Sequence, residues 1–295
     1  MWAAISDAIS KAVKNDFFIE DKISINGGDI NLAFIVSGNI NGENQKYFIK
    51  LNDKSKFALF EAEYENLKRI KTLSNINCTN VITLGTTLDK SFIVFSYEDF
   101  LPPNDTLWNE LGVQLAKFHL DTSHGQFGWF EDNFIGTTLQ PNRWQSNWKM
   151  FFCEQRIAWQ LQLLNEQSIV LGDTDYIIAI CKDLLAHHQV SPCLVHGDLW
   201  QGNIGFTEHH PIIYDPACYF GDREVDIAMT ELFGQFPAAF YRGYQQTYPL
   251  SVSYEERKIV YNFYHILNHL NMFKGAYIEQ AQSALHRIIA LHKSL

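Results

Sequence analysis

Lysine and arginine never dominate more than a few consecutive residues of this chain. The 23 of them are outnumbered by 33 aspartates and glutamates, for a net charge of -10 with histidine neutral. A phosphate backbone selects the opposite sign, so nucleic acid is not an expected partner. Cysteine is also sparse: Cys78, Cys153, Cys181, Cys193 and Cys218 are scattered, odd in number and form no C-x-x-C pair. That usage suits free thiols in a reducing cytosol rather than a disulfide framework or a zinc site. No window approaches about 18 uninterrupted apolar residues, so no membrane span is expected. The opening MWAAISDAISKAV lacks the apolar run of a signal peptide, because Asp7 interrupts it. A soluble, unexported, cytoplasmic chain is the expectation. G-x-G-x-x-G, Walker, repeat and low-complexity patterns are all missing.

What is present is apolar surface. Of the 295 residues 46% are apolar and 14% aromatic, enough for one large domain or two lobes sharing a cleft. Trp2, Ile5, Ile9 and Val13 recur like one face of a helix. The run NGGDINLAFIVSGNINGENQKYFIKLN reads as a β-hairpin, with Gly27 and Gly28 in a tight turn before its first strand and Lys50 ending its second. In KFALFEAEYENLKRIKTL, Phe57, Phe60, Tyr64, Leu67 and Ile70 share a helical face and Glu61, Glu63 and Glu65 give an acidic side. Two more apolar strands, VITLG and SFIVFSYEDFL, lead to Pro102 and Pro103, where ladder and helix both stop. Beyond lie helical segments starting at Leu107, Trp148, Thr174 and Glu224 and a C-terminal helical pair from Ser253, with two short strands between the third and fourth. The fold class predicted is α+β: a five-stranded antiparallel N-terminal lobe with one intervening helix, residues 1–101, and a larger, mainly helical C-terminal lobe, residues 102–295.

LVHGDLWQGNIG, followed by IIYDPACYFGDREVDIAM, sets His196, Asp198, Asn203 and Asp215 among strand-like apolar runs. H-x-D-x-x-x-x-N with a later Asp after a short strand is the protein-kinase arrangement for phosphoryl transfer. In that arrangement Asp198 accepts the proton of the attacking hydroxyl, while Asn203 and Asp215 hold magnesium through hard oxygens that bridge to the nucleotide phosphates. Upstream, Lys50 and an acidic helix have the spacing of a Lys–Glu pair that aims an ammonium at phosphates. The partner is Glu61 or Glu63, with Glu63 preferred because it lies four residues before Leu67. The turn at Gly27 and Gly28 is a candidate phosphate cover, and otherwise simply a turn. Asp226 near a helix start is either an acceptor for backbone N–H groups of the catalytic loop or an ordinary first-turn acid. His196 is expected to be a scaffold histidine.

The strings LVHGDLWQGN, YDPACYFGDREVDIAMTELFGQF, QPNRWQSNWKMFFCEQR and YHILNHLNMF, with the NGGDIN turn, resemble the fructosamine kinase (ketosamine 3-kinase) family. This is a branch of the aminoglycoside-phosphotransferase-like, protein-kinase-like enzymes, and the resemblance runs from about Gly27 to Tyr277. It implies ATP- and Mg2+-dependent phosphorylation of the 3-hydroxyl of a ketosamine, either a small molecule or a glycated protein lysine. The unstable product then frees the amine. Bacterial members are suited to ribulosamines and erythrulosamines. Carried over by motif, Asp198 is the catalytic base, Asn203 and Asp215 the metal ligands, and Lys50 with Glu63 the phosphate-positioning pair. Trp200 is a wall for the sugar or a packing residue. Tyr97, Glu98, Asp99, Phe100 and Leu101 form the hinge whose backbone reads adenine. Ser96 stands where family hinges commonly carry Glu, Asp29 where some relatives carry Cys, and Lys274 where Gly is expected. The alternatives are a kinase for another hydroxylated amine, aminoglycoside- or choline-like, and a nucleotide-binding pseudokinase.

Overall fold

The structure, a computed structural model, describes residues 1–25 and 30–294, and these fall into two compact units. The first comprises Met1–Thr72, Asn77–Pro102 and Gly205–Tyr214; the second comprises Leu73–Ile76, Pro103–Ile204 and Asp215–Leu295.

The first unit opens with helix α1 (Trp2–Val13), which stops where Lys14 turns left-handed at φ 58°. Its serines prepare the next element: Phe17 N–H donates to Ser10 Oγ at 2.9 Å and Ile19 N–H to Ser6 Oγ at 3.1 Å. Strands β1 (Phe18–Ile25), β2 (Leu32–Ile40) and β3 (Glu43–Asp53) follow. Between β2 and β3 the two-residue turn Asn41–Gly42 has positive φ at both positions, the geometry that matches strand twist, and Asn39 Oδ1 accepts the Gly42 N–H. Helix α2 (Phe57–Leu73) and strands β4 (Val81–Thr86) and β5 (Lys90–Ser96) complete an antiparallel sheet of order β1-β2-β3-β5-β4.

Strand alternation sorts the core into two layers. Val36, Tyr47, Ile49, Leu51, Phe92 and Val94 pack with Ile5, Ile9 and Phe17 around α1, whereas Ile93 and Phe95 pack with Phe60 and Leu67 of α2. Lys50 alternates with the first set and so belongs to the α2 face. It pairs across the sheet with Ala33 and Ile93 and lies inside β3, which continues to Asp53. The expected strand end at Lys50 is thereby corrected. The fifth strand of the sheet is β1, an edge strand that precedes Gly27; its residues are nearly all exposed, so no apolar alternation marks it. Gly27, Gly28 and Asp29 lie outside the described residues.

In the second unit α3 (Asp105–Asp121) starts just after the proline pair, capped by Asn104. A small hairpin, β6 (Asn133–Ile135) and β7 (Thr138–Gln140), precedes a long helical stretch. That stretch is α4 (Trp148–Phe152), a π-helical segment Cys153–Ala158 and α5 (Trp159–Glu166). Next come α6 (Thr174–Leu184), β8 (Cys193–Val195), β9 (Ile204–Phe206), β10 (Pro211–Ile213) and β11 (Tyr219–Gly221). Helices α7 (Glu224–Leu232), α8 (Ala238–Thr247), α9 (Tyr254–Phe273) and α10 (Tyr277–His292) close the chain. β8 pairs antiparallel with β11, and β9 with β10 forms a separate ribbon. Sequence periodicity did not reveal α8. It packs on α3 where a side chain at Gly112 or Gly243 would collide with the other helix's backbone. The turn after α9 forms with Lys274 at φ 57°, a left-handed conformation that a glycine adopts more readily.

The two units differ from the expected division into 1–101 and 102–295 in two segments. Leu73–Ile76 falls in the second unit. Residues 205–214 belong to the first unit, because Ile213 N–H donates to Asn77 O, Thr79 N–H to Ile213 O and Leu101 N–H to Phe206 O.

Ile9 is wholly buried under α1. Ile9→Ala should therefore lower unfolding stability by about 2–5 kcal/mol, read as a drop in the denaturant midpoint; a change within 0.5 kcal/mol would show that α1 is not part of the core.

Candidate active site

In the first unit Lys50 and Glu63 meet. Nζ lies 2.8 Å from Glu63 Oε1, both side chains are about nine-tenths buried, and the ammonium sits 5.3 Å from the Phe95 ring centroid. Glu61 is exposed, so of the two glutamates Glu63 is the one that pairs with Lys50. A carboxylate and a ring face replace the water this buried ammonium has lost.

After β5 the segment 97–101 leaves the sheet. Tyr97 and Glu98 are half-buried; Asp99, Phe100 and Leu101 are exposed. Phe100 stacks on Tyr214 with centroids 5.9 Å apart and covers the bare backbone of Gly205. The Leu101 N–H is already donated, at 2.7 Å, to Phe206 O, so it is not one of the groups that can read a base. Ser96 is tied to Asn80, donating its N–H to Asn80 O and accepting Asn80 Nδ2.

The second unit carries the loop 196–203. Gly197 has φ 81°, and a Cβ there would collide with the Ala217 carbonyl, so only glycine fits this bend. Asp226, fully buried in the first turn of α7, accepts the backbone N–H of His196 at 2.7 Å and of Gly197 at 2.8 Å. It also meets His119 Nε2 at 3.1 Å. The tautomer follows from the donors. Arg223 can only donate to the Tyr244 hydroxyl, so that hydroxyl donates to His119 Nδ1, and Nε2–H of His119 points to Asp226. Burial opposes ionisation of Asp226, but the hydrogen bonds it accepts from His119 and the Gly197 N–H outweigh it and hold its pKa below the usual carboxylate range.

His196 itself is fully buried. Its Nδ1 accepts the Asp198 N–H at 3.3 Å, and its carbonyl accepts the Ala217 N–H at 2.8 Å. Both are contacts of a histidine shaping its own loop.

Asp198 is half-buried. Asn203 Nδ2 donates to its backbone carbonyl at 2.8 Å and to its Oδ2 at 3.1 Å. Burial of the carboxyl pushes its pKa up to about 7; the Asn203 bond opposes the rise, and the negative charges of Asp215 and Asp226 add to it. Asp215 is held at φ 56°, an uncommon backbone state for a residue other than glycine. Asn203 commits its nitrogen to Asp198, so Oδ1 is the atom of that amide that could serve a cation. With the Asp215 carboxylate this is a hard oxygen donor set among mutually repelling charges, and it fits an oxygen-seeking divalent cation. Trp200 is 38% exposed, and its indole lies so close over Gly202 that any side chain there would collide with it.

One other group has metal-like spacing among the described residues: His188, Asp222 and Glu224. Arg257 takes both Glu224 oxygens at 2.7 and 2.8 Å, while Tyr261 and His188 donate to Asp222. These side chains already satisfy one another, which makes the group an internal ion-pair network.

Sequence reasoning missed His119, although it falls four residues after the buried Leu115 and so lies on the apolar stripe of α3. It also gave no role to Asn133, Gln140, Asn142, Arg156 or Tyr264, all buried and polar or polar-tipped.

Known proteins resemble this chain over nearly its whole length. The family profile described as fructosamine kinase matches residues 1–291. A probable ketoamine kinase of Vibrio parahaemolyticus is 46% identical over 98% of this chain and all of its own length. Another, from Synechocystis, is 41% identical over 98% of this chain and 97% of its own. A solved structure from Haemophilus somnus, whose name places it among the fructosamine-3-kinases, superposes with a TM-score of 0.91 at 32% identity, covering 98% of each chain. An ADP-bound aminoglycoside phosphotransferase superposes with a TM-score of 0.60 over 99% of each chain at 15% identity, a likeness of fold: the protein-kinase-like α+β architecture. The chain belongs to the fructosamine kinase family.

Proposed function

We propose that this protein uses ATP to phosphorylate the 3-hydroxyl of a ketosamine, free or on a protein lysine, with Asp198 as base and Mg2+ held by Asn203 and Asp215. The observation that carries the reading is the braced loop 196–203: a raised-pKa carboxylate, Asp198, bonded to Asn203 and fixed through two backbone N–H groups on Asp226. Phosphoryl transfer demands little beyond positioning and charge neutralisation, and a rigid loop supplies the positioning.

Asp198 accepts the hydroxyl proton as the oxygen attacks, and a carboxyl with a pKa near 7 is well matched to that task. Lys50, locked on Glu63, steers the nucleotide phosphates. When bound, Mg2+ neutralises phosphate charge that would otherwise oppose attack. The exposed flat face of Trp200 offers sugar C–H groups an apolar wall. The phosphorylated ketosamine is unstable and releases its amine, so the activity serves deglycation. The family and the relatives named as ketoamine kinases support this choice of acceptor.

A coupled assay of ADP release with a ribulosamine tests the reading. Asp198→Asn should cut turnover roughly 10²- to 10⁴-fold, and Lys50→Ala roughly 10²-fold, both with the fold retained by circular dichroism. ATP binding without turnover on any ketosamine would overturn it. Chelating divalent metal should abolish turnover, and Asp215→Ala should weaken metal–nucleotide binding far more than sugar binding; equal rates with and without metal would contradict the assigned ligands.

The pH profile carries a sign. The base works deprotonated, so kcat/KM should fall about tenfold per pH unit below the pKa of Asp198. That limb should lie at or below about 7, because a cation at Asp215 cancels one of the charges that raise it. An acid limb that persists unchanged in the residual activity of Asp198→Asn would exclude Asp198 as the base.

A further inference from the structure

The strings that mark the ketosamine branch, QPNRW, CEQR and YHILNHLN, supply no residue to the chemistry above. In the structure Gln140, Asn142, Arg156 and Tyr264 from these strings meet Asn133 in one polar network, with every side chain in it at most 2% exposed.

Gln140 is at its centre and is saturated. Its Nε2 donates to Ala217 O at 3.1 Å and to Asn133 Oδ1 at 2.8 Å, and its Oε1 accepts the Tyr264 hydroxyl at 2.6 Å. Each donor meets an acceptor, so the orientation of the amide is determined by its partners. Asn133 in turn donates Nδ2 to Cys218 O at 2.8 Å and accepts from Asn142 Nδ2 at 2.9 Å. Asn142 Oδ1 accepts from Arg156 at 2.7 Å.

Arg156 sits in the π-helical segment, with its guanidinium 4.1 Å from the Tyr219 centroid and 4.7 Å from that of Phe151. Its charge is met by ring faces and carbonyls rather than by a carboxylate, a costly placement that a purely apolar core would not need.

Two successive carbonyls, those of Ala217 and Cys218, are gripped by this network, while the Ala217 N–H is held by His196 O. The segment follows Asp215 and Pro216 directly, and Asp215 is in a backbone state that its surroundings must enforce. The arrangement holds the backbone that aims the Asp215 carboxylate. It does so through the main-chain carbonyls of Ala217 and Cys218, which have no signature in the sequence.

We propose that Gln140, oriented by Tyr264 and Asn133, is a positioning residue that sets the Asp215 carboxylate for the metal–nucleotide complex. The proposal rests on the assignment of Asp215 as a metal ligand.

Calorimetric titration of the full chain with ADP, with and without Mg2+, tests it independently of turnover. Three variants are compared with the unaltered chain: Asp215→Ala, Gln140→Leu and Tyr264→Phe. Asp215→Ala should abolish the Mg2+-dependent gain in ADP affinity. Gln140→Leu should lose about five- to fiftyfold of that gain, and Tyr264→Phe a smaller part, while ADP affinity without metal stays within about twofold. A loss confined to thermal stability would leave the gain untouched and would mark the network as structural only. If Asp215→Ala removes the gain while both network variants keep it within twofold, the positioning role is overturned and the kinase reading stands. If Asp215→Ala itself keeps the gain, the metal assignment fails and the proposal with it. Tyr264→Phe, which deletes one hydroxyl and keeps the ring, keeps the test decisive should Gln140→Leu not fold.

Discussion

A carboxylate taken wholly out of water survives only where donors replace its hydration, and Asp226 is that carboxylate in this protein. It receives two backbone N–H groups from the loop after β8 and an imidazole N–H from α3, and the imidazole is oriented in turn by Tyr244 of α8 and by Arg223. Four separate pieces of the second unit thus converge on one negative charge. The loop that carries Asp198 takes its shape from that convergence, because the bend at Gly197 is both permitted by the missing side chain and secured by the hydrogen bond from its nitrogen.

A division of labour follows among the buried polar groups. In the proposed mechanism Asp198, Asn203 and Asp215 are the groups whose side chains meet the reactants. Asp226, Gln140 and Asn133 address main-chain atoms instead, with His119 orienting Asp226. The two sets are electrostatically linked, since Asp226 contributes to the raised pKa of Asp198 while its own is held down by its donors. One anchoring charge therefore does two things at once: it holds the loop and it helps tune the base on it.

The kinase-like architecture was legible in the sequence because its parts announce themselves locally. An apolar alternation ending near Lys50, a helix with glutamates on one side and the compact run from His196 to Asp215 all lie within short windows. The helical repeat likewise points to Glu63 rather than Glu61, since 63 and 67 share a face and Leu67 is buried. What could not be read depends on distance along the chain. Gln140 touches Ala217 across 77 residues, His119 touches Asp226 across 107, and the partners are often peptide groups that every residue possesses. Strand β1 hid because an edge strand exposed on both faces has no alternation to show. The π-helical segment hid because one widened turn barely alters an apolar stripe, and the ribbon 205–214 because its allegiance is decided by backbone pairing with residues 77–79 and 101.

The hydroxyl of Tyr264 reaches an amide 124 positions earlier in the chain. Contacts of that span form only after the intervening segments have collapsed, because closing so long a loop must precede any gain from the bond itself. The Tyr264–Gln140 bond, and with it this hold on the Ala217 carbonyl, is incomplete while α9 is unstructured. A partially folded chain, including one still emerging from a ribosome, therefore carries the HGDLW motif without the network that braces the segment after Asp215.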